Sequence, residues 1–332
     1  MKKAIFLWLM GMPVLVANAQ DIHFSQFFHV PFNINPAEAG MFDGDYRLGA
    51  VQRTQWRSVT KPYSTFGLSG DLAFQEANAG ASLSLYQDRA GDSRFNTFRV
   101  EPGVSLHLAA SADSAKVLSL GMQFSLTNRS IDYSDLYFDN QYNGFGYDPS
   151  LNPGESFVRD SRWYFDAHIG ALFSAKVDAR KRYKAGFALF NLVSPEQSFF
   201  EASIPLDKRI NIHGSAEWDI HDEWDIIPGL LISLQGTYRE VIIGGTARRI
   251  LNNRGGLYRT AFGGMYFRAR DAGFLMMGMD YDDWRVALSY DVNLSDLRVA
   301  SDGRGGLEIT VQYILRTFKP GALNKKICLE YL

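Results

Sequence analysis

Hydrophobic and polar residues exchange places at every second position along most of this chain. The run Val117–Asn128, VLSLGMQFSLTN, sets Leu118, Leu120, Met122, Phe124 and Leu126 against Ser119, Gly121, Gln123, Ser125 and Thr127. A period of two over that length predicts a β-strand with one apolar and one polar face. The pattern returns in Tyr63–Phe74, where Phe66, Leu68, Leu72 and Phe74 oppose Thr65, Gly67, Ser69 and Asp71. It returns again in Thr97–Leu108, Trp163–Phe173, Trp284–Asp291 and Leu307–Leu315. About fourteen such segments follow one another, an even number, as a single-chain bacterial barrel requires.

Alternation alone does not say which face looks inward. A soluble sandwich turns its apolar face to the core, whereas an outer-membrane barrel turns it to lipid. The connections decide. Those at Gln75–Asn78, Ala109–Ala115, Lys176–Arg182 and Asp219–Glu223 are short. Those at Asn128–Arg162, Val193–Lys208 and Val292–Arg304 are long, and all three follow odd-numbered strands. Short turns at one end and long loops at the other mark a bacterial barrel. One connection, Arg249–Gly256, reads as longer than this rule predicts. The expected fold is therefore all-β: a transmembrane, outer-membrane, antiparallel β-barrel of about 14 strands. A soluble periplasmic β-protein is the competing architecture.

The chain opens with Lys2 and Lys3, an apolar run from Ala4 to Val16, and the small-x-small triplet Ala17-Asn18-Ala19. That order predicts a signal peptide over residues 1–19, cleaved after Ala19. Residues 20–44 are expected to form a plug or periplasmic segment, because Asp21–Gly44 does not alternate, is crowded with Phe24, Phe27, Phe28 and Phe32, and carries Pro31 and Pro36. The barrel is expected over 45–316, with a tail over 317–332. No second long apolar run exists, so no transmembrane helix is expected. A mean hydropathy of -0.16 fits a barrel, since half of every strand is polar.

Composition narrows the chemistry. With one cysteine in 332 residues, Cys328, an exported chain has no disulfide framework. A net charge of -2 gives no reason to expect nucleic-acid binding. His23, His29, His213 and His221 stand apart from any recognisable ligand spacing, so neither a metal nor another cofactor is expected. The run Ser301–Gly306, SDGRGG, precedes an alternating strand rather than a helix and reads as a turn. His107 and His168 fall on polar faces, but spacing pairs them with no particular serine, and no enzyme is expected.

Two groups of residues carry functional expectations. The polar faces bear Arg47, Arg53, Arg99, Glu101, Asp166, Arg285, Asp291 and Glu308, a candidate lumen network. The longest connection bears Tyr133, Tyr137, Phe138, Tyr142, Phe145, Tyr147 and Phe157, interleaved with Asp132, Asp135, Asp139 and Asp148. Exposed aromatics of this kind supply contact area at protein interfaces, so this loop is the candidate partner-binding surface.

Three blocks resemble one known family. They are FSQFFHVPFNINPAEAG (Phe24–Gly40) followed by RTQW (Arg53–Trp56), GFALFNLVSPEQSFF (Gly186–Phe200), and the long run Tyr266–Leu315 containing SYDVNLS and GRGGLEI. Together they look like the PorP/SprF family of outer-membrane proteins, linked to type IX secretion and gliding motility in Bacteroidetes. The blocks span nearly the whole chain. A departure lies at Cys328-Leu329-Glu330, where a Cys-Pro ending is expected. The resemblance implies a non-catalytic barrel that supports secretion or surface attachment of a partner, such as an adhesin carrying a type IX C-terminal signal, alongside other secretion components. Outer-membrane lipid would surround it. The alternative is an uptake barrel for hydrophobic small molecules, similar to fatty-acid transporters. A greasy lumen pocket would favour uptake, and a charged, occluded lumen would favour a partner-binding role.

Overall fold

The structure, a computed structural model, describes residues 21–55, 62–91, 94–111, 115–133, 136–154, 159–178, 180–199, 203–254, 257–294 and 303–316. The expected signal peptide, Trp56, Asp135, Phe157, Ser301 and the tail with Cys328 lie outside the described residues.

The strands are β1 (Tyr46–Gln55), β2 (Tyr63–Phe74), β3 (Ala79–Ala90), β4 (Phe95–Ala109), β5 (Lys116–Ser130), β6 (Ser161–Lys176) and β7 (Arg182–Phe190). The second half comprises β8 (Arg209–His221), β9 (Trp224–Gln235), β10 (Tyr238–Arg254), β11 (Leu257–Arg268), β12 (Ala272–Tyr281), β13 (Trp284–Asn293) and β14 (Arg304–Leu315). Each pairs antiparallel with the next, and β14 returns to β1, so the sheet closes into a barrel. Closure gives every strand two hydrogen-bonded neighbours, as a span through hydrocarbon demands. No helix among the described residues is long and apolar enough to cross a membrane.

Exposure settles which face looks out. Leu118, Leu120, Met122, Phe124 and Leu126 are 36–47% exposed, while Ser119, Gln123, Ser125 and Thr127 are at most 3%. The apolar face points away from the barrel interior, towards lipid. Exposed Tyr46, Tyr183, Trp218, Trp224, Tyr281 and Trp284 all lie within a few residues of the short turns. They form the aromatic girdle that marks one membrane interface. The long connections β5–β6, β7–β8 and β13–β14 gather at the opposite end.

The connection at Arg249–Gly256 departs from its reading as a long one. Asn252–Arg254 belongs to β10, which bulges between Ile250 and Asn252, and only positions 255 and 256 separate it from β11. A bulge adds one residue to a strand and breaks the alternation, which disguised the end of β10 as loop.

Residues 21–44 lie inside the barrel. They form 3-10 turns at Phe27–His29, Pro31–Asn33 and Pro36–Glu38. Both Pro31 and Pro36 start a turn, where a missing N–H costs nothing. Asn35 caps the third turn by accepting from Ala37 N at 2.9 Å, and its amide donates to Ala171 O on β6 at 2.9 Å. The wall makes room with glycine: a Cβ on Gly121 would sit 2.3 Å from Ala37 N, and one on Gly170 1.9 Å from Asn35 Oδ1. Ser119 Oγ donates to Ala37 O at 2.7 Å. The polar face of β5 is thus packed against protein, not simply wet.

Candidate functional site

The luminal segment starts in the half of the barrel nearer the long loops and descends to join β1 at the short-turn end. Its upper portion is held by charge. Asp21 meets Arg99 of β4 at 2.6 Å and Arg209 of β8 at 3.3 Å. Burial pushes the Asp21 carboxyl up, but the two guanidiniums outweigh it and hold it well below the usual carboxylate range. Glu308 of β14 accepts the backbone N–H groups of Ser25 and Gln26, both at 2.8 Å. Ser25 Oγ donates to Asp291 Oδ1 of β13 at 2.7 Å. Arg53 of β1 ties these together, reaching Glu308 at 2.8 Å and Asp291 at 2.9 Å, and also bonding Ser25 Oγ. Arg268 of β11 adds contacts to Ser25 Oγ at 3.0 Å and Glu240 of β10 at 3.0 Å. All of these side chains are nearly fully buried.

The inner wall from β9 to β12 is built otherwise. Phe27 and Ile34 pack with Leu231, Ile242, Phe262, Tyr266, Phe274 and Met276 from β9 to β12. Beside this cluster a cavity of about 880 Å³ extends to the short-turn end, bounded by Phe28, His29, Ile227 and Tyr258 among others. Burial, and the nearby Arg285 guanidinium, push the His29 imidazole down to about 3, so it is neutral. The cations at the cavity mouth are paired: Lys184 with Glu38 at 2.7 Å, Arg182 with Asp43 at 2.8 Å, and Arg285 with Asp280 at 2.6 Å. Asp225, fully buried, takes both Arg180 at 2.5 Å and Arg248 at 2.6 Å.

The eight candidate lumen residues do not form one network. Arg53, Asp291 and Glu308 come together across the β1–β14 seam, where Arg53 and Glu308 are register partners. Arg99 and Glu101 form a second group, 3.5 Å apart. Arg47 pairs with Asp71 of β2 at 2.8 Å and Arg285 with Asp280 of β12, neither across the seam. Among the described residues Asp166 joins no ion pair, and it accepts Val193 N at 3.0 Å. Sequence reading missed Asp21, Ser25, Arg209, Glu240 and Arg268, whose partners are remote along the chain. It also missed the inward apolar residues of β9–β12, although consecutive apolar positions in IIPGLLI and FLMM (Ile226–Ile232, Phe274–Met277) signal strands greasy on both faces.

Ser105 and His107, which spacing left unpaired with any particular partner, approach at 2.9 Å, yet both turn to Ala39 O, at 2.7 and 3.0 Å. Their contacts hold the luminal segment.

In the β5–β6 loop, Tyr142 bridges to Tyr147 and Tyr137 stacks edge-on against Tyr147 at 4.5 Å. Phe145 stands at the tip, 100% exposed, with Tyr137 at 76% and Tyr142 at 62%. Tyr133 and Phe138 are half-buried, and the Tyr133 hydroxyl donates to Arg159 O at 3.0 Å. The loop therefore presents Tyr137, Tyr142 and Phe145 outward, while Tyr133 and Phe138 are partly covered.

The family model described as type IX secretion system membrane protein PorP/SprF matches residues 16–313. No curated protein matches the chain. Among solved structures it is similar to the Pseudomonas putida toluene transporter TodX, 12% identical with a TM-score of 0.47 over 88% of this chain and 94% of that one. It is similar to the CymD monoaromatic hydrocarbon channel, 10% identical with a TM-score of 0.47 over 87% of this chain and 93% of that one. A Pseudomonas aeruginosa FadL homologue aligns at 10% identity and TM-score 0.42 over 84% and 92%.

Proposed function

The chain belongs to the PorP/SprF family of type IX secretion system membrane proteins, and from that premise we propose that it is a non-enzymatic outer-membrane barrel serving a secreted partner at the long-loop end. Family membership carries the secretion role. The exposed rings of the β5–β6 loop support a docking surface there, since aromatic side chains dominate protein contacts. Lipid covers the barrel sides, and buried ion pairs hold the luminal segment in place, so the loops are the surface left for recognition. The partner fits the description of a surface protein bearing a type IX C-terminal signal, and gliding motility in Bacteroidetes is the setting this family suggests.

The test is a variant with Tyr137, Tyr142, Phe145 and Tyr147 changed to Ser, in cells where barrel assembly is confirmed. We expect the secreted partner to be lost from the cell surface. A partner retained at normal levels would place docking elsewhere.

The cavity of about 880 Å³ beside Phe262 and Tyr266 supports a second reading, a barrel that binds hydrophobic small molecules. Saturable binding of a fatty acid, lost in Phe262→Arg, would favour it over the first.

A further inference from the structure

The strand β6 is paired with β5 from Ser161 to Ala175, but with β7 only from Ile169 to Lys176. The cause is local. Asn191, just past β7, takes a left-handed conformation (φ 60), and Ser194 N closes a turn on Asn191 O at 3.2 Å. Asn tolerates that region better than most residues. Side chains of β6 then capture the turn: His168 Nδ1 accepts Asn191 N at 3.0 Å and Asp166 Oδ1 accepts Val193 N at 3.0 Å. The last rung is Leu192 N donating to Ala167 O at 3.1 Å.

Above that rung, Ser161, Trp163 and Phe165 are in phase with Ala167, so their backbone groups point away from β5. Among the described residues, no backbone hydrogen bond reaches them from that side. The neighbouring loop spends its own backbone groups mostly on itself, with Glu196 bridged to Pro205, Gln197 N on Ile204 O at 3.1 Å and Leu206 N on Pro195 O at 2.8 Å. Among the described residues it meets β6 only from the lumen face, where Arg162 donates to Ser198 O at 2.9 Å. A tilted strand crosses the hydrocarbon in about 9–11 residues. Counted up from Lys176, that distance ends near Asp166, so the open edge stands at or beyond the outer interface. An unpaired edge is compatible with that position and not with the hydrocarbon below.

We propose that the edge Ser161–Phe165 receives an extended segment of the secreted partner as an added strand. The inference rests on the docking function proposed above and names its mode. Backbone bonds to the edge would supply affinity. One face of the added strand would lie beside Trp163 and Phe165, 58% and 52% exposed. The other would lie beside Arg162 and Tyr164. The segment that fits alternates apolar residues with acidic or hydroxyl-bearing ones.

The experiment compares Trp163→Pro/Phe165→Pro with Trp163→Ala/Phe165→Ala in the full-length barrel. Proline removes the outward N–H groups and leaves the β5 ladder untouched, the edge position at which strands tolerate it. We expect the proline pair to lose co-purification of the partner and the alanine pair to keep more of it. Partner retained by the proline pair but lost by the loop serine variant overturns the edge and spares the docking reading. Retention in both overturns the docking reading itself. If the proline pair fails to assemble, hydrogen exchange on the unaltered protein decides. The amides of Trp163 and Phe165 should exchange fast in the free barrel and slow by roughly tenfold or more in the complex. Slow exchange in the free barrel, or none gained on binding, overturns the proposal.

Discussion

The two halves of the lumen hold the same short segment by different physics. On one, Asp21, Ser25 and Gln26 are fixed by buried charges from β1, β4, β8, β11, β13 and β14. On the other, Phe27 and Ile34 rest on the apolar wall of β9–β12, beside a cavity that extends towards the short turns. Ion pairs have direction and fixed partners, so the charged half specifies one arrangement and tolerates little loss. Apolar contacts are non-directional, so the apolar half can give way.

Removing a cation from the charged half should have the largest effect. Arg53→Ala leaves Asp291 and Glu308 buried without their shared partner, a loss that typically costs about 3–5 kcal/mol. The folded fraction on heating, read from the mobility shift of unboiled barrel, should fall sharply. Adding a cation to the lipid face should come next: Leu120→Arg is expected to cost about 2–4 kcal/mol at the midplane, seen as reduced membrane assembly. A lumen substitution is no mild control here, since Gly121→Ala would drive a methyl into Ala37 and should displace the segment, detected as protease cleavage near Pro36.

Phe262→Ala should cost less than the ~3–5 kcal/mol seen for such changes in filled cores, because its site already borders a void. If Phe262→Ala proved as damaging as Arg53→Ala, the contrast between the halves would fail.

Acid acts on both halves. The folded His29 value, about 3, lies below its ordinary 6.5, and burial together with the Arg53 and Arg268 guanidiniums holds His23 well below it too. For both, the unfolded chain takes up the proton first and stability falls as pH drops through that window. Asp21 is depressed from 3.8, so its contribution is present above that value and is lost only at lower pH. At about pH 5 the segment around His23 and His29 should therefore loosen while the Asp21 carboxylate keeps its charge. Hydrogen exchange resolved by segment would show it, and undiminished protection at both histidines would contradict it.

The outer wall was legible because lipid imposes one rule on every strand. Leu120 and Phe124 read outward from alternation alone. Arg53 and Glu308 likewise read as lumen-facing charges of opposite sign, although their pairing across β1 and β14 did not. The lumen was less legible because its partners are set by closure, not by spacing. Nothing near Asp21 announces Arg209, and nothing near Asp225 announces Arg180. The greasy wall of β9–β12 was hidden by the expectation that lumen faces are polar. Leu231 and Met276 break that expectation because the luminal segment, rather than water, lies against them or beside their cluster.

Planar-bilayer recording tests most directly whether the charged half keeps the barrel shut. The intact protein should show little steady conductance, and a variant lacking residues 21–44 should conduct. Large, porin-like currents from the intact protein would mean that the buried pairs around Arg53 do not hold the segment across the lumen.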